Sequence, residues 1–512
     1  MLRMELLVRR SGGAARLWIN RGAVMAVALS IATLLVYASV VRNEFVNFDD
    51  DMNLTKNQHL QQGLTIESLR WAFTNVEHQN WHPLTWVSHM LDFGVFGMHA
   101  GGHHAVSALM HAANAALLFA VFHALTGAFW RSAAAAALFA LHPLRVESVA
   151  WAAERKDVLS VLFGLLALAA YLRFARRRSR GAYVAALACF AGALMSKAML
   201  VTFPALLLLI DLWPLDRWSR VRGAPVLPGR GILLEKIPFV ALSAAASILA
   251  LFAQARTGAV AYVTQFPVVL RVENAFSAHL AYLGKLLWPK KLAVFYPYAF
   301  GDLSWWQPAS GAALIVLISA GVAVVLRRRP VYVVGWAWYL GTSLPVIGIV
   351  QIGSQAMADR YTYLPQIGLL LMIAWGLGDA QTRWPGTRTA LAAGTALALA
   401  ALSAATWMQV TRWRSSETLF THSLSVTGDN YIALSNLGAA LSAQGREAEG
   451  NELIRRALQV DPNFRTVLYE RAGDHFAKRG QAAAAADYYR KALAVAPFKQ
   501  NLQEKLRALG AR

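Results

Sequence analysis

From residue 22 to residue 410 the chain alternates between long apolar runs and short polar stretches. The runs lie near 22–41, 103–126, 130–143, 158–174, 181–196, 198–214, 237–254, 310–327, 331–350, 364–380 and 388–410. A helix that crosses a bilayer needs roughly 20 apolar residues. Several runs are shorter, so their boundaries are soft, but together they predict about eleven transmembrane helices. One further stretch, "VENAFSAHLAYLGKLLWP" over 272–289, has its apolar pattern interrupted by Glu273, His279 and Lys285. It fits an amphipathic helix lying on the outer membrane surface.

Hydropathy collapses after about residue 411, and there the sequence begins to repeat. Gly438, Gly445, Ala457 and Pro462 recur as Gly473, Gly480, Ala492 and Pro497, each 35 residues later. Glycine, small-residue and proline positions at this period are those of a tetratricopeptide repeat, with copies near 431–464 and 466–499. "ETLFTHSLSVTG" ahead of them has the look of a degenerate repeat's second helix, and "NLQEKLRALG" after them that of a capping helix. A plain pair of helical hairpins is the simpler alternative. The expected architecture is all-α. A polytopic helical membrane domain over 1–411 carries a first outer loop with interfacial helices over 42–102, and a C-terminal α-solenoid of tetratricopeptide repeats follows over 412–512.

Composition agrees. Of 512 residues, 57% are hydrophobic and 15% charged, which excludes an ordinary soluble protein. The net charge of +21 suggests nucleic acid at first sight. The basic residues, however, fall in short clusters between apolar runs, where they are topology signals; no nucleic-acid partner is expected. With the N-terminus inside, the inner loops carry Arg131; Arg173, Arg176, Arg177, Arg178 and Arg180; Arg217, Arg220, Arg222, Arg230 and Lys236; Arg327, Arg328 and Arg329; and Arg383 and Arg388. The 42–102 loop holds only Arg42, Lys56 and Arg70. This topology places the N-terminus in the cytoplasm and the repeats outside. A cleaved signal peptide is not expected, because no small-x-small site follows the first run cleanly. Cys189 is the single cysteine, so no intrachain disulfide is possible.

Ionisable residues close to spans are expensive and tend to be functional. Here they gather on the outer side. The first loop offers Asp49, Asp50 and Asp51 in "FVNFDDDMNLTKN", then His82 and Asp92. "HPLRVESVAWAAERKDVLS" holds His142, Arg145, Glu147, Glu154, Arg155, Lys156 and Asp157, with Glu147 and Glu154 seven apart and so expected on one helix face. "LMSKAML" puts Lys197 at a tight turn, and "QAMADRYTYLP" puts Asp359 and Arg360 before another span. Interfacial charge accounts for each residue singly; the constellation points to a site. His104 and His111, with Asn114 close by, read as a satisfied polar core. No H-E-x-x-H, paired C-x-x-C or phosphate-cradling glycine loop occurs, so zinc hydrolysis and nucleotide chemistry lack support.

"FDDDMNLTKN", "HPLTW", "HPLRVESVAWAAERKD", "SKAML" and "DRYTYLP", followed by repeats, resemble the TMTC family. These are transmembrane and tetratricopeptide repeat-containing O-mannosyltransferases, members of the GT-C superfamily of membrane glycosyltransferases. His142 through Asp157 meets the pattern H-P-x-x-x-E-x-V-x-x-x-x-x-R-x-D. The Arg- and Ala-rich chain looks bacterial, which would place it in the inner (cytoplasmic) membrane with the repeats in the periplasm.

The resemblance implies a polyprenyl-phosphate sugar donor, a hydroxyl acceptor on a protein or glycan recruited by the repeats, and inversion at the sugar C1. The family's acid pair falls on Asp49 and Asp50, with Asp49 expected as general base and Asp50 orienting the acceptor or a metal. Crowded carboxylates raise one another's pKa and so make one a better base. A divalent ion, Mg2+ or Mn2+, on Asp49 and Asp50 is a further expectation. Arg155, Lys156, Lys197 and Arg360 are expected to hold the donor phosphate, where negative charge builds. Glu147 and Asp157 would anchor these cations or bind sugar hydroxyls, and His82, His142 and Asp359 would help orient substrate. Two other classes compete. A transporter or flippase of a lipid-linked substrate would place its charges near the bilayer midplane. An assembly scaffold would use the membrane part only as an anchor.

Overall fold

The computed structural model describes residues 21–75, 81–221, 224–256, 267–298, 304–326, 328–350, 353–460, 465–478, 480–495 and 500–510. Arg3, Arg9, Arg10, Arg16, Arg222, Arg327, Pro462 and Pro497 lie outside the described residues.

Each of the eleven apolar runs is helical. Helix α1 (Arg21–Val36) leads to the first loop, which folds as short helical turns and then α2 (Pro83–Phe96). The chain continues through α3 (Ala100–Thr126), α4 (Phe129–Leu141), the short α5 (Val146–Ala150), α6 (Arg155–Arg177), α7 (Arg180–Ser196) and α8 (Phe203–Leu212). After these come α9 (Ile237–Arg256), α10 (Val268–Leu287), α11 (Trp306–Val325), α12 (Pro330–Ser343), α13 (Gln366–Arg383) and α14 (Arg388–Arg412).

Among the described residues, five helices are long and apolar enough to cross a membrane: α3, α6, α9, α11 and α14 with their leading turns. A sixth is added if α4 and the segment Pro143–Ala150, bent by 58°, form one broken span. This is fewer than the eleven runs suggest, and the main reason is length, except at α13, whose 18 residues end in the polar "GDAQTR". Helices α7 and α8 have 17 and 10 residues. At 1.5 Å per residue they fall short of a hydrocarbon core of about 30 Å without help from flanking turns. Helices α3 and α6 form the centre, with 56% of their spanning windows buried, while α11 and α14 are peripheral at 6%. Helices α12 and α13 touch backbone to backbone, since a Cβ on Gly368 would stand 2.2 Å from the Gly335 carbonyl.

His104, His111 and Asn114 each make at least one hydrogen bond inside the bundle. His111 Nδ1 lies 2.7 Å from Tyr363 Oη and its Nε2 lies 3.1 Å from the Ala140 carbonyl. Asn114 donates to Val158 O, and His104 meets Glu44 O. Helix α10 buries Asn274, Ala275, Ala278, His279, Tyr282 and Leu286 and exposes Val268, Val269, Val272 and Leu287. It is not among the helices that qualify as spans.

Beyond α14 come α15 (Ser416–Thr427), the antiparallel pairs α16 (Tyr431–Ala443) with α17 (Glu447–Val460) and α18 (Arg465–Lys478) with α19 (Ala482–Val495), and α20 (Gln500–Ala508). The repeated glycines explain the pairing. Gly445 and Gly480 have φ of +87° and +69° in the turns, a region that glycine enters without strain. At Gly438 a Cβ would stand 2.7 Å from Gly450 O, so the first pair closes tightly. Ala457 and Ala492 are fully buried.

This solenoid is joined to the membrane part by many bonds. Asn430 Nδ2 donates to Phe295 O, and the Tyr431 hydroxyl bonds Ser354. Asn47 donates through its backbone to Ser416 and through its side chain to Asn436 O, and Glu44 N donates to Arg414 O. Tyr431, Ile432, Leu434 and Leu437 share the main hydrophobic core with the bundle. The first loop and the first repeat are therefore on one side of the molecule.

Candidate active site

The stretch from His142 to Asp157 folds as a corner. Helix α5 ends at Trp151, whose backbone is extended (φ −94°, ψ 116°), a 3-10 turn covers Ala152–Glu154, and α6 then starts. Glu147 and Glu154, expected on one helix face, thus lie on separate elements. No glycine or proline marks the break. Contacts with the first loop stabilise it instead. Trp151 Nε1 donates to Phe48 O at 2.9 Å, and the two rings stack with centroids 4.9 Å apart. Ala153 N donates to Asp50 Oδ1 at 2.8 Å, and Val46 N donates to Asp50 Oδ2 at 3.0 Å.

The three aspartates have three different surroundings. Asp49 is exposed and sits at φ +65°, a sharp turn in which Asp is tolerated. Asp50 is fully buried and ties the loop to the corner. Asp51 pairs with Lys56 at 2.5 Å in the open. Burial pushes the Asp50 carboxyl up to about 8, against the two backbone N–H groups, with Asp49 and Asp51 adding to the rise. Crowding therefore acts as expected in sign, but burial is the larger cause and Asp50 the group affected. A Mg2+ or Mn2+ ion shared by Asp49 and Asp50 does not fit this geometry: both Asp50 oxygens face backbone N–H groups, and among the described residues no third ligand joins the pair.

Above the corner the structure gathers Glu147, Glu154, Lys156, Asp157, Lys197 and Arg360. Lys197, at the turn between α7 and α8, bonds Glu154 Oε1 and, at 2.6 Å, Asp157 Oδ1. Lys156 reaches Glu154 Oε2 at 3.1 Å. Arg360 bonds Glu147 through its guanidinium, and through its backbone N at 2.8 Å, and stands 3.7 Å from Glu154. It also lies 5.3 Å over the Trp151 ring. Asp157 is held from behind by the Ser148 hydroxyl. The cations Lys156, Lys197 and Arg360 keep 16, 14 and 11% of their side chains exposed, whereas Glu154, Asp157 and Glu147 keep 2, 0 and 4%. The cations are half-buried, while their acid partners are buried. His82 borders it: burial, then Lys156 and Lys197, push its imidazole down to about 3.

Two expected site residues, Arg155 and His142, lie elsewhere, while Asp359 sits beside the cluster, within electrostatic reach of Glu147 and Arg360. Arg155 is fully buried on another face of α6, because each helical residue turns by about 100° from the last. It pairs with Asp92 and donates to Ser107, Ser88 and the His103 carbonyl, so it does not reach the cation cluster. His142 accepts from Leu144 N and meets Leu286 O, a structural post at the end of α4. Asp359 accepts from Tyr296 Oη at 2.9 Å, and burial raises its carboxyl.

The sequence did not single out Glu154 as the hub of the cluster, nor Trp151 as its floor. A second polar group went unnoticed as well: Asp211, Arg217, Glu235 and Lys236, tied to Tyr171 near the far end of α6. An apolar groove of about 510 Å³ lies among α8, α9 and α12. Thr202, Leu206, Leu209, Val240 and Trp338 line it, and Lys236 stands at one end.

Fold and site define a helical membrane protein with a polar cluster at one end of its bundle and a helical solenoid docked beside it. No family model matches the chain. It is similar to protein O-mannosyl-transferase Tmtc1 of Drosophila melanogaster, 25% identical over 85% of this chain and 61% of that protein. It is also similar to human protein O-mannosyl-transferase TMTC4, 24% identical over 81% of this chain and 63% of the relative. Human TMTC1 aligns at 24% identity over 86% of this chain and 56% of its own length. This similarity runs across most of the chain, which spans about three fifths of the length of these relatives.

Proposed function

We propose that this chain is a membrane glycosyltransferase that moves a sugar, mannose by likeness to its relatives, from a polyprenyl-phosphate donor to a hydroxyl of a protein acceptor. The observation that carries the proposal is the partial exposure of Lys156, Lys197 and Arg360 beside buried acids. Such a surface suits a phosphate. The apolar groove that starts at Thr202, five residues after Lys197, supports a lipid-linked donor, since it can take a hydrocarbon tail.

In this reaction the acceptor oxygen forms its bond to the sugar C1 as the bond from C1 to the phosphate oxygen breaks. The electron pair leaves with the phosphate, which needs positive charge and no proton. The acceptor proton goes to Asp49, the exposed acid of the loop. Attack opposite the leaving group inverts C1. Asp50 fixes the loop on which Asp49 sits, and Glu147 and Asp157 hold Arg360 and Lys197 in place. Arg155 is a positioning residue for α2 rather than a phosphate ligand. The repeats, docked on the same side as Asp49, would present the acceptor. The basic clusters support a cytoplasmic N-terminus and a periplasmic site in a bacterial inner membrane.

The test is reconstitution of the full chain in liposomes with polyprenyl-phosphate [3H]mannose and a protein acceptor. Label transferred to acceptor hydroxyls, with release of polyprenyl phosphate, supports the enzyme. Movement of the lipid across the bilayer without transfer would establish a flippase instead, and neither outcome would leave the scaffold.

A further inference from the structure

Away from the cation cluster, α2 and α3 meet around a second set of polar side chains that sugar transfer does not use. His89 and Asp92 are three residues apart on one face of α2, and His103 stands in the first turn of α3. All three are buried, and one ligand-capable atom of each lies within 4.8 Å of the others. His103 Nδ1 is 3.4 Å from Asp92 Oδ2. Two ligands on a tetrahedral ion with bonds of about 2.1 Å stand about 3.4 Å apart.

A second observation points to a missing partner. Among the described residues neither ring nitrogen of His89 has a hydrogen-bond partner, although its side chain is fully buried. Buried polar atoms are satisfied as a rule, and an exception calls for an ion or water. The outer shell is in place too. His103 Nε2 lies 3.0 Å from the Gly97 carbonyl. With the proton on that nitrogen, the Nδ1 lone pair faces Asp92. Arg155 holds the Asp92 carboxylate, and the rings of Phe45 and Phe93 close edge-on against His103.

We infer that His89, Asp92 and His103 bind a divalent transition-metal ion, zinc by their chemistry, which clamps the interfacial helix α2 to α3. Two imidazoles with one carboxylate suit zinc, whereas Mg2+ and Ca2+ take oxygen ligands. Three protein ligands leave a fourth position for water. Arg155 then orients the carboxylate ligand, which accounts for its depth in the fold. The inference does not depend on the proposed sugar transfer.

Metal analysis of the full chain, purified in detergent without chelator, tests it. We expect about one zinc per chain. His89→Ala and His103→Ala should each lower the content at least fivefold, while His59→Ala should leave it unchanged. Because the variants are able to misfold, the unaltered protein is also stripped with chelator and titrated with Co2+. Visible absorption of four- or five-coordinate Co2+, bleached by added Zn2+, supports the site. Zinc at background together with a Co2+ titration that shows no such absorption overturns it. Full zinc content in both folded histidine variants overturns it as well, by placing the ion elsewhere.

Discussion

Two ion networks sit toward opposite ends of α6, and they are made of similar parts. One surrounds Glu154 and Asp157. In the other, Asp211 pairs with Arg217 at 2.8 Å and Lys236 at 2.7 Å, accepts from Tyr171 at 2.7 Å, and shares Arg217 with Glu235. Asp157 and Tyr171 are about 21 Å apart along the helix. The difference lies in how the charges are layered. In the Asp211 network both signs reach the same depth, with Arg217 12% and Glu235 15% exposed and Lys236 4% and Asp211 0%. Asp211 is matched by Lys236 and Glu235 by Arg217 at similar depth, and the exposed Arg178 caps Glu235 from outside, so the acids there are closed off by the protein's own cations as a staple. In the Glu154 network the cations are half-buried and their acid partners buried. A count of charges does not separate the two networks; the asymmetry of their exposure does.

The sharpest way to break this contrast is at the loop facing the Glu154 network. Asp49→Asn removes the proposed base and should lower transfer by roughly 10²–10⁴-fold with donor binding retained. Transfer and binding measured separately on purified protein decide it, and full activity would remove Asp49 from the chemistry.

Lys197→Met should come next, with transfer down by about 10²–10³-fold through loss of charge at the phosphate. Its counterpart at the other end is Asp211→Asn. That change should destabilise the fold by roughly 3–5 kcal/mol, because it leaves buried Lys236 and Arg217 short of an anion. Transfer per folded molecule should stay near the unaltered value. Equal loss of specific activity in both variants would erase the distinction between site and staple.

A smaller effect follows from Asp50. Its carboxyl, raised from 3.8 to about 8, binds a proton in the folded state that the unfolded chain releases. The stability this adds is complete below the unfolded value and is lost as pH rises through about 8. His82, lowered from 6.5 to about 3, acts in the opposite sense but only below its ordinary value. Melting temperature should therefore fall between pH 6.5 and 8, and Asp50→Asn should flatten that slope. The smallest change is expected from Asp51→Asn, whose ion pair with Lys56 is open to solvent and worth about 0–1 kcal/mol or less. A large loss there would mean that the whole acidic run acts as one unit.

Much of this was legible in the sequence. Long apolar runs gave helices, the 35-residue period gave the helix pairs, and Lys197, Lys156, Asp157, Glu147 and Arg360 do meet. The break at Trp151 was not legible, because the residues that stabilise it, Phe48 and Asp50, lie 103 positions away. Arg155 was misplaced for a local reason. Its neighbours Glu154 and Lys156 enter the cluster, yet one step of a helix turns it toward Asp92. The Asp211 network was not legible, because Arg217 and Lys236 sit in basic clusters of the kind that orient a membrane chain, and only the fold brings them onto Asp211 and Glu235.

The bonds from Asn47 to Ser416 and Asn436 have a practical corollary for protein engineering. Tetratricopeptide arrays are commonly treated as interchangeable modules. Here the first repeat is part of the wall against which the Asp49 loop is set. A chimera that exchanges residues after 412 alone would leave that loop without its support. Grafting a foreign array would have to carry a matched segment over 43–48, so that loop and array are transplanted as one piece.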